Sequence, residues 1–203
     1  MTPCRSCQAE LGTGVAICPR CGALQPFDPS LSLFAVLGLE AAFSVDPAQI
    51  RSQVLERMRA LHPDRFAQAD GAAQRQSLEW STRINEAQAV LSDPLRRADY
   101  LFTQHFGHSA LGEEMGSIRD PELLMRQMER REALEEAANA KDLAMLDSLR
   151  TQAKAEERQL HERIAQAFQD PAAEVIAPLL QEWQYLRKFL AEIDQSEEQW
   201  DFA

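Results

Sequence analysis

Four cysteines and one tripeptide are the residues here whose types and spacing point to chemistry. Cys4-Arg5-Ser6-Cys7 and Cys18-Pro19-Arg20-Cys21 are two pairs, each enclosing two residues, with ten residues between the pairs. Two intervening residues let both thiolates of a pair turn onto one ion. Two such turns facing each other make a tetrahedral sulfur site that suits zinc, with iron the alternative of the same geometry. Gly22 supplies backbone freedom where the chain wraps closely around the ion, and Gly12 and Gly14 supply the turn between the halves. So short a segment buries no useful core, so metal binding itself would supply its folding free energy. A closed four-sulfur site leaves no open position for a substrate, which makes the metal structural or part of a docking module. Two disulfides are the other reading of the pattern, and they suit a protein with an export signal, which is not expected of this N-terminus.

The tripeptide is His62-Pro63-Asp64. Taken alone, it reads as Pro63 stopping a helix and Asp64 capping the next turn. Its setting adds to this: a helix bearing Arg51, Arg57 and Arg59 precedes it, and a second helix of matching length follows. The other histidines, His105, His108 and His161, have no cysteine or serine at a spacing suited to nucleophilic catalysis. The carboxylates read as solvated helix faces, and no enzymatic activity is expected.

The elements that must position these groups are helical. Pro26 to Pro29 reads as a linker, followed by a short stripe of Leu31, Phe34, Leu37 and Leu39 ending at Gly38. Asp46-Pro47 forms an N-cap with proline at the first helical position. Ile50, Val54, Met58 and Leu61 then recur on one helical face. Leu78, Ile84, Ala87 and Leu91 mark the apolar face of the next helix, which Asp93-Pro94 stops. Leu95, Ala98, Leu101 and Phe102 predict a further short helix, and Gly107 to Ser117 a boundary. Three long periodic segments follow, at about 121–139, 142–168 and 172–198. No stretch alternates with period two after residue 30, so the body is predicted to be all-α.

The chain has 203 residues, 45% hydrophobic and 26% charged, with a net charge of −11. Basic and acidic residues number 2 and 2 over residues 1–30, 8 and 9 over 31–106, and 11 and 21 over 107–203. The excess of acid therefore lies in the C-terminal half, whose field repels phosphate backbones and argues against nucleic acid as a partner. The longest uncharged apolar stretch, Leu31 to Leu39, is too short to cross a bilayer, so no membrane partner is expected. With cysteines from position 4 and no apolar leader, the expected compartment is the bacterial cytoplasm, or the mitochondrion for an organellar relative.

Four blocks together resemble a J-domain, and within that class the HscB iron–sulfur co-chaperones. They are Leu33-Phe34-Ala35-Val36-Leu37-Gly38-Leu39, Leu61-His62-Pro63-Asp64-Arg65-Phe66, Ile84-Asn85-Glu86-Ala87, and Asp93-Pro94-Leu95-Arg96-Arg97-Ala98-Asp99-Tyr100. The resemblance implies that His62, Pro63 and Asp64 trigger ATP hydrolysis by a DnaK-class (HscA-type) chaperone. Arg51, Arg57, Arg59 and Arg65 would be its electrostatic contacts. Arg65 stands where lysine is frequent, and Phe34 where tyrosine is common.

On a helical wheel of 121–139, Leu123, Leu134, Ala137 and Ala138 form the inward face. Met125 and Met128 lie apart from it, among Glu129, Glu132 and Glu136, with Leu124 between. Met128 and Leu124 either widen the core face or belong, with Met125, to an apolar patch with a charged rim for a partner. The HscB resemblance favours the second reading. It implies that Leu124, Met125, Met128, Glu129, Glu132 and, near the C-terminus, Phe189 contact an iron–sulfur scaffold protein of the IscU type. Phe189 falls at the margin of the stripe Leu179, Trp183, Leu186, Leu190 and Ile193, so partial exposure is predicted for it. A general co-chaperone for another client, with the cysteine module as a redox or docking element, is the alternative. The expected organisation is a Cys4 module over 1–26, a J-domain hairpin over 27–106, a linker over 107–120 and a three-helix bundle over 121–203. The sequence leaves the oligomeric state open.

Overall fold

The computed structural model describes residues 2–112 and 121–201, with side chains to residue 198. Residues 113–120 of the expected linker, with Gly116 and Ser117, lie outside the described residues. The described chain forms two compact units, Met1–Arg97 and Ala98–Ala203.

The first unit opens with two short strands, β1 (Thr2–Pro3) and β2 (Glu10–Leu11), paired antiparallel. Helix α1 (Leu33–Leu37) follows, capped by the Ser32 hydroxyl and ended by Gly38 in the left-handed conformation. Helix α2 (Pro47–Leu61) begins as the Asp46-Pro47 pair dictates, with the Asp46 carboxylate accepting from the amide of Ala48 at 2.8 Å. It ends one residue before His62-Pro63, and Pro63–Phe66 continues as a single 3₁₀ turn. Helix α3 (Gly71–Leu91) is capped by Asp70 and runs back along α2. Leu33, Phe34, Leu37, Ile50, Leu61, Trp80, Ile84 and Leu91 are buried between these helices.

The apolar face of α3 is displaced from the predicted one. Leu78 is exposed, whereas Ser77, Trp80 and Ser81 face inward with Ile84, Ala87 and Leu91. The physical reason is that the Ser77 hydroxyl donates to the carbonyl of Leu61 at 2.7 Å, satisfying a group that the end of α2 leaves open. A polar residue therefore holds a core position that periodicity assigns to its apolar neighbour.

Helix α4 (Pro94–Phe106) carries the buried Arg97 in its first turn. Arg97 donates from Nε to the Phe43 carbonyl at 2.8 Å and from Nη1 to the Leu91 carbonyl, with its guanidinium 5.9 Å from the Phe43 ring centroid. It thus closes the end of α3 and anchors the loop before α2. Arg97→Ala would leave two carbonyls without these donors and a cavity, which should cost about 3 kcal/mol, read as a lower urea midpoint.

The second unit contains α5 (Pro121–Ala140), α6 (Leu143–Ala167) and α7 (Ala173–Asp201), a three-helix bundle matching the three periodic segments within a few residues. Its core includes Leu123, Leu134, Ala137, Leu146, Leu160, Ile164, Ile176, Leu180, Trp183, Leu186 and Ile193. Among the described residues no helix is long and apolar enough to cross a membrane.

Candidate functional site

Three sets of residues carry the candidate chemistry, two in the first unit and one in the second.

The sulfurs of Cys4, Cys7, Cys18 and Cys21 all lie within 4.8 Å of one another. Cys4 and Cys21 are 3.6 Å apart, and Cys7 and Cys18 are 3.7 Å apart. A tetrahedral ion about 2.3 Å from each sulfur sets sulfurs about 3.8 Å apart, so the group is spaced to hold a single metal ion. All four cysteines are free thiols. The Cys7 and Ser6 amides and the neighbouring sulfurs hold Cys4 down at about 6 against the effect of burial. The Ala9 amide favours the Cys7 thiolate, but burial and the three other sulfurs push that thiol up to about 11. Four sulfurs packed this closely oppose negative charge on all of them at once. A cation among them removes that conflict.

The module is built from two turns of one design, fourteen residues apart. Cys4 donates its amide to Ala9 and accepts from Gln8, at 2.8 and 3.1 Å, while Cys18 does the same with Ala23 and Gly22, at 3.0 and 2.9 Å. The β1–β2 pair frames the first turn, and an Ile17–Leu24 bridge frames the second. Gly22 has φ 72°, as its predicted role requires. Its counterpart Gln8 has φ 58°, a conformation costly for a residue with a Cβ. Gln8→Gly should relieve about 1 kcal/mol and slow metal loss to a chelator several-fold.

His62-Pro63-Asp64 forms an exposed corner between α2 and α3. The side chains of His62 and Asp64 are 48% and 91% exposed. The Asp64 amide donates to His62 Nδ1 at 3.3 Å, and the Asp64 carboxylate lies 3.5 Å from the same nitrogen, so a ring accepting at Nδ1 carries its proton on Nε2. Gln74 donates to the carbonyls of Ala67 and Ala69, fixing the far side of the loop. Arg51 and Arg59 are exposed on α2, and Arg65 is exposed with Nη1 donating to the Arg59 carbonyl at 3.0 Å.

Arg57 departs from its expected place on that basic face. It is partly buried, with Nη1 donating to the Gly14 carbonyl at 3.3 Å, and its guanidinium lies against Gly38. Burial lowers its pKa from the ordinary guanidinium value. One face of α2 serves the cysteine module, and Arg57 belongs to that face. Periodicity gave no sign of this, because the module follows no helical repeat.

On α5, Leu124, Met125 and Met128 are 43%, 63% and 64% exposed. They sit at positions i, i+1 and i+4, and Glu129 and Glu132 are exposed beside them. The patch is held from behind. The Tyr185 hydroxyl on α7 donates to the Gln127 carbonyl at 2.9 Å, Arg130 pairs with Glu156 on α6, and Arg126 lies 3.6 Å from Glu182. Leu123, Leu134 and Ala137 face inward as predicted.

Phe189 is 2% exposed, which corrects the prediction of partial exposure. It stacks on Tyr185 with centroids 6.5 Å apart, while Leu190, the predicted core residue, is only partly buried. The larger ring occupies the interior position. Phe189 therefore supports the tyrosine that bonds α5 and presents no surface of its own.

A family model described as HSCB C-terminal oligomerisation domain matches residues 119–194. The co-chaperone protein HscB homolog of Paraburkholderia xenovorans (strain LB400) is 34% identical over 162 residues, which span 80% of this chain and 91% of that protein. The chain belongs to the HscB co-chaperone family. The HscB homolog of Burkholderia thailandensis is 37% identical over 153 residues, 73% of this chain and 86% of its own. Among solved structures, human co-chaperone protein HscB superposes with a TM-score of 0.80 at 26% identity, covering 97% of this chain and 98% of its own. HscB from Vibrio cholerae gives 0.70 at 28% identity, covering 83% and 99%. The human match leaves too little of the chain over to omit the cysteine segment, so this chain has a relative of solved structure along nearly its whole length.

Proposed function

We propose that this HscB family member is a two-ended adaptor. One end is a J-domain over residues 27–106 that docks on a DnaK-class chaperone and stimulates its ATPase. The other is the bundle over 121–203, which binds an iron–sulfur scaffold protein of the IscU type.

The observation that carries the reading is a pair of exposed faces with different chemistry. The first unit offers a trigger corner, His62-Pro63-Asp64, flanked by exposed Arg51, Arg59 and Arg65. Proline restricts the corner, so little conformational freedom is lost on docking. The exposed Asp64 carboxylate suits a cationic group of the partner in a charge-assisted contact. Asp64 acts there as an electrostatic contact, since the nucleotide and its hydrolysis belong to the chaperone. The second unit offers Leu124, Met125 and Met128 rimmed by Glu129 and Glu132. Methionine adapts its shape to a partner surface, and carboxylates at the rim steer a basic one.

Cys4, Cys7, Cys18 and Cys21 would hold zinc, whose contribution is structural. Bound there, it would neutralise the sulfur charge and tie the two turns together. Bacterial relatives support the bacterial cytoplasm as the compartment.

The test is a binding titration with the scaffold alongside ATP turnover of the chaperone. The adaptor reading expects one scaffold per bundle and stimulated turnover. Stimulated turnover with no scaffold binding would instead identify a general co-chaperone for another client.

A further inference from the structure

We infer that the cysteine module is a metal-dependent brace of the J-domain hairpin, coupled to α2 and α3 through Arg57, Gln25 and Trp80. The inference rests on the reading of the four cysteines as a metal site and adds what that metal does for the rest of the first unit.

The module is attached at residues that also organise its sulfurs. Gln25 is 6% exposed, and its side-chain amide donates to Cys4 Sγ at 3.4 Å and to the Ala23 carbonyl at 2.7 Å. Its side-chain oxygen accepts from the Arg5 amide at 3.0 Å, so the Gln25 side chain touches both cysteine turns. The backbone carbonyl of the same residue accepts from the indole N–H of Trp80 at 3.1 Å. Trp80 is fully buried on α3, and Phe27 packs edge-on against it with centroids 5.1 Å apart.

A second attachment joins the turn between the cysteine pairs to α1 and α2. The Gly14 carbonyl accepts from Arg57 on α2. Gly14 has φ 73°, and a Cβ there would come within 2.4 Å of the Ala35 carbonyl oxygen on α1. Only glycine lets the two backbones approach so closely.

These contacts tie the two folding events together. The module's own core amounts to Cys4, Leu11 and Cys18, with Cys7, Ala9, Val15 and Ala23 against them, too little to hold without an ion. If the module opens, the Trp80 indole N–H and the Arg57 guanidinium lose their acceptors, and Trp80 loses its cover. A ligand that binds only the folded module therefore stabilises every element that folds cooperatively with it. Ser77, one turn before Trp80 on α3, bonds the Leu61 carbonyl immediately before His62, so the braced region reaches the trigger corner.

Hydrogen exchange on the full chain, metal-loaded and after chelation, tests the inference. Wild type should carry one metal per chain. On stripping, amides of α2 and α3 should exchange at least about tenfold faster while α6 and α7 stay unchanged. In Arg57→Leu/Trp80→Phe, which keeps apolar bulk but removes both donors, stripping should accelerate exchange only within residues 2–27. The wild-type comparison decides the matter even if that variant folds poorly. One metal per chain with α2 and α3 unaffected by its removal would overturn the inference and leave the metal reading standing. Wild type that takes up no metal would overturn both.

Discussion

His62→Gln is expected to return the chaperone's ATP turnover to its unstimulated rate while the chain stays folded and keeps its scaffold. The side chain is half exposed, and its Nδ1 accepts from the Asp64 amide and lies near the Asp64 carboxylate. Glutamine can offer an acceptor to that amide, but it does not place a ring N–H where Nε2 sits. The cost should therefore fall on the partner contact and not on the fold. Losing a central contact of a docking surface costs about 2 kcal/mol or more, roughly thirtyfold in the affinity of the productive complex. Asp64→Asn should act in the same direction, since its carboxylate is 91% exposed and charge is what it offers. Arg57→Ala, by contrast, should reduce stability before it reduces docking.

Met125→Ala with Met128→Ala is expected to weaken scaffold binding about thirtyfold while leaving the unfolding transition almost unmoved. Fully burying a methionine contributes about 1.5–3 kcal/mol. These two keep 63% and 64% of their surface exposed, so most of that contribution is still available to a partner. Truncation to alanine keeps the Cβ, and the pair together should cost about 2 kcal/mol of binding. Titration of the scaffold by calorimetry reads the first effect, and thermal unfolding reads the second. Phe189→Ala should show the opposite pattern. It would empty an interior position and unseat Tyr185 from Gln127, so stability should fall by about 3–5 kcal/mol, with any loss of binding following from that.

Most of the scaffolding was legible in the sequence because it follows from local rules. Asp46-Pro47 starts α2, Pro63 bounds it, and the three periodic segments became α5, α6 and α7. The cysteine spacing was legible for the same reason: two residues within each pair bring its thiolates onto one ion. Readings failed where a long-range contact overrode periodicity. Ser77 takes a core position because the Leu61 carbonyl needs a donor, which turns Leu78 outward. Phe189 and Leu190 are adjacent in sequence and flank the edge of the apolar stripe, and the ring that packs on Tyr185 takes the interior. Arg57 looks like its neighbours Arg51 and Arg59 until the Gly14 carbonyl is brought to it from 43 positions away. Arg97 lies within a block that resembles the family, and its buried role is visible only once Phe43 and Leu91 are placed around it. Gln8 hides the repeat of the two cysteine turns because its position would ordinarily select glycine.

Steady-state ATP turnover of the DnaK-class chaperone, measured with this chain, with the scaffold, and with both together, tests whether the chain joins the two partners. An adaptor that joins the two partners should give turnover well above the sum of the separate effects, and His62→Gln or the paired methionine variant should remove that excess. Turnover no greater than the sum, at scaffold concentrations that saturate the bundle, would show that the chain is no adaptor between them.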